Sequence, residues 1–150
     1  MRTLTFREAV RADLPAVLAL LADDELGGNR DAADVDDAYE RAFADVSADP
    51  RNHLVVADED GVVVGCLQIT YIPGLSRHGA ERSLIEAVRV RSDRRGQGVG
   101  RQMMRWAISE AERRGCGLVQ LTTDKSRADA QRFYRDLGFV ASHEGMKLRL

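Results

Sequence analysis

The sequence of 150 residues lacks the features that mark secreted and membrane proteins. Its two cysteines, Cys66 in an apolar segment and Cys116 after a predicted helix, are expected to be reduced thiols rather than a disulfide. No run approaches the ~18 apolar residues that a membrane-spanning helix needs. The first residues show no secretory signal pattern, so we expect a cytoplasmic protein without a membrane partner.

Signatures of nucleic-acid and metal binding are also missing. No basic stripe is interleaved with aromatic residues, so nucleic acid is not an expected partner. No ligand spacing supports a metal site, and none is predicted. The sequence shows no internal repeat, low-complexity tract or linker, and 44% of its residues are hydrophobic. We expect one domain, residues 1–150, that is large enough for a core of its own.

The net charge of −2 conceals an uneven distribution along the chain. Residues 22–60 contain 13 acidic residues against three arginines, whereas residues 77–114 contain 10 arginines against five acidic residues. A basic half suits an anionic cofactor, and an acidic half would attract a cationic acceptor. The alternative interpretation is two solvated faces without a ligand.

Hydrophobic periodicity predicts six strands and four helices in the order β-α-α-β-β-β-α-β-α-β, a mixed α/β fold. The strands are predicted at residues 4–9, 54–57, 62–71, 83–91, 118–123 and 140–150, and the second and third are expected to form a hairpin across the turn Asp58-Glu59-Asp60-Gly61. The first helix is expected to follow Asp13 as its N-cap, and two more are expected at 35–46 and 99–114. The last is expected to run from a capping box of Ser126 and Asp129 to Gly138.

The stretch Arg95-Gly96-Gln97-Gly98-Val99-Gly100 joins the fourth predicted strand to the third predicted helix. Glycines allow positive φ and bring bare N–H groups close to a ligand. The first N–H groups of a helix have no internal partners, and the helix dipole adds partial positive charge there. A loop of this kind predicts a site for a phosphate or pyrophosphate group.

Two common phosphate loops do not fit this stretch. A P-loop ends in Gly-Lys-Ser/Thr, whereas Gly100 is followed by Arg101 and Gln102. A dinucleotide fingerprint has the spacing G-x-G-x-x-G near the start of a βαβ domain. Here the spacing is G-x-G-x-G, and it comes after about 95 residues.

The stretch 95–100 resembles the pyrophosphate loop of the GNAT N-acetyltransferase superfamily, Gln/Arg-x-x-Gly-x-Gly/Ala. A second stretch, residues 130–139, is similar to the family's Ala-x-x-Phe-Tyr-x-x-x-Gly-Phe, and the two lie in the family's order. Residues 85–90 and 129–134, with Ser142-His143, look most like members that acetylate glucosamine 6-phosphate or aminoalkylphosphonates.

The resemblance implies a GNAT-like fold whose two central strands are splayed by a bulge, with acetyl-CoA bound in the gap. The cofactor-binding residues that it implies are Val88, Arg89, Val90, Arg95, Gly96, Gln97, Gly98, Val99, Gly100, Arg101, Arg127 and Tyr134. Many relatives carry Asn where this chain has Arg127. Arginine would pair with a CoA phosphate, unless the contact is simply absent.

Tyr134 matches the family tyrosine whose hydroxyl meets the CoA sulfur, and we expect it to be the general acid. Glu86 is the candidate base, because an acidic residue in an apolar strand is out of place unless it points into a cavity. A carboxylate is a weak base toward an ammonium group, so a relay water or an altered environment would be required. A substrate-orienting role or a salt bridge to an arginine remains open for Glu86.

Glu86, Glu25, Gly28 and His143 are the expected acceptor-binding residues. The leading hypothesis is an acetyltransferase that acts on a small-molecule primary amine. The alternatives are acetylation of a protein N-terminus or lysine, a CoA-binding sensor without turnover, and a nucleotide-binding redox module. Dimers are common among similar proteins, although no residue here establishes one.

Overall fold

A computed structural model of the chain describes residues 2–23 and 34–150. The chain divides into two compact units, Met1–Gln120 and Leu121–Leu150, and each is described by itself. The prediction of one domain over residues 1–150 stays a prediction.

The first unit is built on a five-stranded mixed sheet whose strands lie side by side in chain order. The first three neighbouring pairs of strands are antiparallel, whereas the fourth and fifth strands are parallel to each other. The strands are β1 (Leu4–Glu8), β2 (Asn52–Glu59), β3 (Val62–Ile72), β4 (Arg82–Val90) and β5 (Leu118–Gln120). This arrangement confirms the predicted mixed α/β class.

Among the described residues, three helices of two or more turns belong to the first unit and one belongs to the second. They are α1 (Leu14–Ala22), α2 (Asp37–Ala48), α3 (Val99–Arg114) and α4 (Ala128–Asp136). The bounds of α3 are those predicted, because Gly98 and Gly115 flank it in the left-handed conformation that favours glycine. A short turn at Ser76–Gly79, in which Arg77 and His78 take positive φ, was not predicted.

Both faces of the sheet are covered by apolar side chains. On one face, Val17 and Leu20 of α1 form a buried cluster with Val56 and Cys66. Val55 and Leu67 point to the opposite face, because successive residues of a strand alternate. That face belongs to α3, whose Trp106 ring lies 5.8 Å from the ring of Phe6 and whose Met103, Met104 and Ala107 are fully buried.

The β2–β3 hairpin confirms the turn predicted around Asp60 and Gly61. Both residues have positive φ, 51° and 90°, as a tight two-residue hairpin turn requires. The Gly61 N–H donates to the Asp58 carboxylate over 2.6 Å. The strands extend beyond the predicted apolar runs because polar ends such as Asn52 and Glu59 join the ladder.

Asp13 occupies the N-cap position of α1, as predicted, but its side chain does not cap the helix. The helix begins at Leu14, and no hydrogen bond from its first turn reaches the Asp13 side chain. The carboxylate instead accepts from Nη1 and Nη2 of Arg7, at 2.7 and 3.0 Å, and from the Val10 N–H. The Nε of Arg7 also donates to Asp58, so one guanidinium joins β1, β2 and the entry to α1.

Two features predicted for the C-terminal unit are absent from it. Ser126 and Asp129 form no capping box, because Ser126 donates to Asp124 through both its N–H and its hydroxyl, while Asp129 pairs with Arg132. Residues 140–150 contain no strand. Their alternating apolar pattern predicted a strand. Met146 and Leu148 are nevertheless 92% and 87% exposed, because no described strand packs or pairs with this segment. The fifth strand also ends three residues earlier than predicted, at Gln120.

We predict that Arg7→Met lowers the free energy of unfolding by about 1–2 kcal/mol at pH 7, an amount already reduced because the Arg7 side chain is 37% exposed. Hydrogen bonding to Arg7 holds the pKa of Asp13 below its ordinary value. The stabilisation is therefore complete above the ordinary Asp pKa and is lost as pH falls through the lower, folded-state pKa.

Urea unfolding between pH 7 and pH 3 measures this effect. The wild-type curve should fall more steeply in acid than that of Arg7→Met. Arg11→Met, which breaks an exposed pair with Glu40, is the control and should leave stability unchanged. Equal behaviour of the two variants would contradict the structural role given to Arg7.

Candidate active site

A bulge interrupts the pairing of β3 with β4. Cys66 pairs with Arg89 and Gln68 pairs with Glu86, so Leu67 alone faces both Ala87 and Val88. Ala87 takes a φ of 54°, which costs a residue with a Cβ roughly 1–2 kcal/mol. The buried thiol of Cys66 donates to the carbonyl of Ala87 over 3.6 Å, and burial raises the pKa of that thiol to about 12. Such bulges bend the strand and re-aim its side chains.

Next to the bulge, β4 separates from β5. The parallel pairing covers only Arg82 to Leu84 on β4, and residues 85–90 have no partner on β5. Val88 and Val90 lie on this uncovered stretch. Their carbonyls accept from side chains, the Arg89 Nη1 at 3.0 Å and the Arg95 Nε at 3.2 Å. None of the described strands pairs with this edge of β4, so its backbone groups can bind a ligand that carries hydrogen-bonding groups.

The glycine loop after β4 presents a group of backbone donors. Gly96 and Gly98 have φ of 75° and 85°, and Gly98 is the residue that precedes α3. The first helical hydrogen bond runs from the Gln102 N–H to the Gly98 carbonyl over 3.0 Å. Within the part of the chain that the structure describes, no group accepts from the backbone N–H groups of residues 96–101. These donors suit an anionic ligand.

Two arginines around the loop, Arg91 and Arg94, form close ion pairs, whereas Arg95 and Arg101 are more exposed. Arg94 donates to Glu59 over 3.0 Å, and their side chains are only 17% and 12% exposed, so this pair fixes the loop to the β2–β3 hairpin. Arg91 donates to Asp93 over 2.6 Å. Arg95 is exposed and lies 3.7 Å from an equally exposed Asp23. Arg101 is exposed and has no ion pair with any residue in the ranges 2–23 and 34–150.

Glu86 lies on β4 immediately before the bulge. Its side chain is exposed, and none of the described residues forms a hydrogen bond or ion pair with it. The salt bridge to an arginine, left open by the sequence, is therefore not formed with any described arginine. Its carboxylate remains available to a ligand.

The second unit contains Tyr134, Arg127 and His143. The half-buried Tyr134 ring lies edge-on to the rings of Phe133 and Phe139, with centroids 5.1 and 5.9 Å away. Arg127 is the residue that precedes α4. His143 is exposed, and its Nδ1 lies 2.7 Å from the hydroxyl of Ser142. It does not belong to a strand, because residues 140–150 form none.

Two of the predicted acceptor-binding residues, Glu25 and Gly28, lie outside the described residues. Across residues 2–23 and 34–150, no group of three or more His, Cys, Asp or Glu side chains is placed to hold a metal ion. None of the described helices is long and apolar enough to cross a bilayer.

One polar group was missed. Asn52, Gln68 and Thr70 form a hydrogen-bonded row on the sheet face that carries Glu86. The available signal was the pair of polar residues at alternate positions of an otherwise apolar strand. It could not show which neighbouring strands would stand beside them.

A family model describes a chain with this organisation. Residues 14–139 match the model of the Acetyltransferase (GNAT) family. The chain belongs to that family. Membership makes the protein an acyltransferase and acetyl-CoA its cosubstrate, and it confirms the GNAT-like fold that the sequence indicated.

Relatives of this GNAT protein include characterised and solved members. The aminoalkylphosphonate N-acetyltransferase of Salmonella typhimurium is 33% identical over 95% of this chain and 89% of its own length. A solved structure from Bacillus halodurans C-125, described as a transcriptional regulator, is 47% identical with a TM-score of 0.96 over 99% of this chain and 100% of its own. A putative acetyltransferase from Agrobacterium tumefaciens is 30% identical, with a TM-score of 0.88 over 97% and 99%.

We predict that glycine at position 87, in the bulge, does not destabilise the fold, although glycine does so at most positions of a strand. Ala87→Gly should leave the free energy of unfolding unchanged or raise it by up to about 1 kcal/mol, because glycine accepts positive φ without strain. Ala87→Val should lower it by more than about 1 kcal/mol, since a β-branched residue is strained there.

Urea unfolding measures both changes. The matched control is Ala80→Gly, at a residue with φ of −66°, where glycine should cost about 0.5–1 kcal/mol through the greater freedom of the unfolded chain. If Ala87→Gly destabilises as much as Ala80→Gly does, Ala87 does not hold the strained conformation.

Proposed function

We propose that this protein transfers the acetyl group of acetyl-CoA to the primary amine of a small molecule. The observation that carries the proposal is the occurrence, within one unit, of three features that no described residue occupies: the backbone donors of residues 96–101, the edge of β4 beyond its pairing with β5, and the carboxylate of Glu86. The small-molecule activity named for the Salmonella relative supports it.

The N–H groups of residues 96–101 would hold the diphosphate of CoA. They are the first donors of α3 and of the loop before it, so the helix dipole adds to their attraction for an anion. Arg95 and Arg101 would supply charge, because Arg91 and Arg94 are already engaged with Asp93 and Glu59. Arg127 is a further candidate for a phosphate contact.

The edge of β4 would hold the pantetheine arm. The carbonyls of Val88 and Val90 are reached by arginine side chains, so they are accessible to amide donors of a ligand. Arg89, also a predicted cofactor-binding residue, lies between Val88 and Val90. Acetyl-CoA supplies the activated thioester, and the backbone at the bulge would donate to the thioester oxygen.

Glu86 would contact the acceptor amine. Its position beside the bulge suits a base that acts through water or a carboxylate that orients the ammonium group, and both roles remain in the proposal. Tyr134 would protonate the leaving sulfur, a role supported by its motif and by the phenol's ability to donate a proton at neutral pH. A contact of His143 with the acceptor stays a prediction.

A panel of amines tests the substrate class. Purified protein with acetyl-CoA is offered spermidine, 2-aminoethylphosphonate and a tripeptide with a free N-terminus, and released CoA thiol is measured. Turnover of one of the small amines supports the proposal. Turnover of the tripeptide alone would replace it with acetylation of protein N-termini.

A second candidate is a CoA-binding sensor without turnover. The description of the Bacillus halodurans relative as a transcriptional regulator favours it. Tight binding of CoA in calorimetry together with no transfer to any amine would establish this candidate and refute the first.

We predict that Gly98→Ala weakens CoA binding about tenfold or more, because the loop relieves the roughly 1–2 kcal/mol of strain of alanine at a φ of 85° by moving its donors, and CoA binding must then restore the strained conformation. Gly115→Ala is the matched control, since Gly115 has the same φ at the other end of α3. Both variants should lose similar unfolding free energy. Equal CoA affinities by calorimetry would remove the glycine loop from the binding site.

We predict that Tyr134→Phe lowers kcat by roughly 10²–10⁴-fold while the Kd of CoA is unchanged, because only the proton donor is removed. Steady-state kinetics and calorimetry measure the two constants. Tyr71→Phe is the control, since it keeps the ring beneath the Arg114 guanidinium and should not alter turnover. Unchanged kcat in Tyr134→Phe would take Tyr134 out of the mechanism.

A further inference from the structure

A row of polar side chains crosses three strands beside the bulge. Asn52 of β2 is paired with Thr70 of β3, and Gln68 of β3 is paired with Glu86 of β4. Directly paired residues point to the same face, as do alternate residues of one strand. The four side chains therefore share one face of the sheet, the face on which Cys66 packs against α1.

A chain of hydrogen bonds fixes the orientation of the two amides. The Asn52 Oδ1 accepts from the Gln68 Nε2 over 3.1 Å and from the Thr70 hydroxyl over 2.7 Å. The Asn52 Nδ2 donates to the Asp49 carboxylate over 2.8 Å. Hydrogen bonds from the Arg51 N–H and from Asn52 hold the pKa of Asp49 below its ordinary value. At neutral pH the Asp49 carboxylate can therefore accept hydrogen bonds but cannot donate one.

The orientation of Gln68 follows from this chain. Turning the Asn52 amide over would place its oxygen against the Asp49 carboxylate and its NH₂ against the NH₂ of Gln68. Asn52 therefore presents its oxygen to Gln68, and Gln68 must present its NH₂ to Asn52. The Gln68 Oε1 is left as an acceptor, and no described residue donates to it.

Gln68 and Glu86 thus offer two neighbouring acceptors to which no residue in the ranges 2–23 and 34–150 donates. Directly paired residues on adjacent strands have Cβ atoms about 5 Å apart. A primary ammonium group has three N–H donors, so it can bind both side chains at once. The Gln68 amide is neutral, and it can therefore approach Glu86 without adding negative charge.

We propose that Gln68 binds the acceptor: its Oε1 and the Glu86 carboxylate hold the amino group, and Asn52 positions Gln68 for this contact. The inference rests on the proposed function, in which Glu86 contacts the acceptor. It adds a specificity-determining residue that favours acceptors with at least two N–H donors on nitrogen.

Steady-state kinetics with the better of spermidine and 2-aminoethylphosphonate tests the proposal. Gln68→Met keeps the length of the side chain and removes both polar atoms. It should raise the KM for the amine about tenfold or more, the effect of losing a hydrogen bond to a charged group, while the KM for acetyl-CoA stays within about twofold. Asn52→Ala should raise the amine KM less, because Gln68 keeps its oxygen and loses only its orientation.

Two further variants separate binding from a structural role. Gln68→Glu retains an acceptor oxygen and loses the donor to Asn52, so it should recover most of the amine affinity that Gln68→Met loses. Thr70→Val removes the other donor to Asn52 but is paired with Leu84 instead of Glu86, and it should leave the amine KM unchanged. If Gln68→Met has the wild-type amine KM, or if Gln68→Glu is impaired as severely as Gln68→Met, the proposal is wrong.

A binding measurement distinguishes failure of this inference from failure of the proposed function. Ethylammonium chloride is titrated into the wild-type protein while NMR follows the side-chain NH₂ signals of Gln68 and Asn52. Saturable shifts that disappear in Gln68→Met support the inference even if no amine is acetylated, in which case only the proposed function fails. If the wild-type protein acetylates an amine but the Gln68 signal never shifts, the inference alone fails.

Discussion

The site depends on the left-handed conformation of Ala87. By placing two residues of β4 opposite Leu67, the bulge changes which side chains of the strand face each side of the sheet. Glu86 consequently stands beside Gln68, while Val88 and Val90 belong to a stretch that β5 does not cover. The buried neighbours Ile69 and Ile85, together with the Cys66 thiol on the Ala87 carbonyl, hold this strained backbone in place.

The glycine loop extends the same strand into a second binding feature. Arg94 and Glu59 tie the loop to the β2–β3 hairpin, so its position is set by the sheet and does not depend on a ligand. The donors of residues 96–101 are thereby organised in advance. Preorganised donors lose little free energy to ordering when an anion binds, which is the physical advantage of a backbone site over one made of long side chains.

Local signals in the sequence predicted the elements that local interactions fix. The α3 bounds follow from two left-handed glycines around an apolar period, and the hairpin follows from Asp60 and Gly61. Tertiary contacts decided the rest. The Asp13 carboxylate pairs with Arg7 and does not cap α1. The alternation of residues 146–150 would give a strand one apolar face, but it cannot supply a neighbouring strand for that segment to pair with. Gln68 could not be singled out because its role appears only when β2, β3 and β4 are aligned. The bulge was expected only through family resemblance, since backbone strain at an alanine leaves no local sequence signal.

CoA binding by the backbone of the loop and of the β4 edge is the step of the proposed function on which the other steps depend. Amide-resolved NMR of the uniformly ¹⁵N-labelled protein, titrated with CoA, tests this binding surface. The N–H signals of residues 96–101 should shift most, with those of residues 87–90 next, and all should reach saturation at one equivalent. Saturable shifts confined to other parts of the chain, with these two segments unchanged, would contradict it.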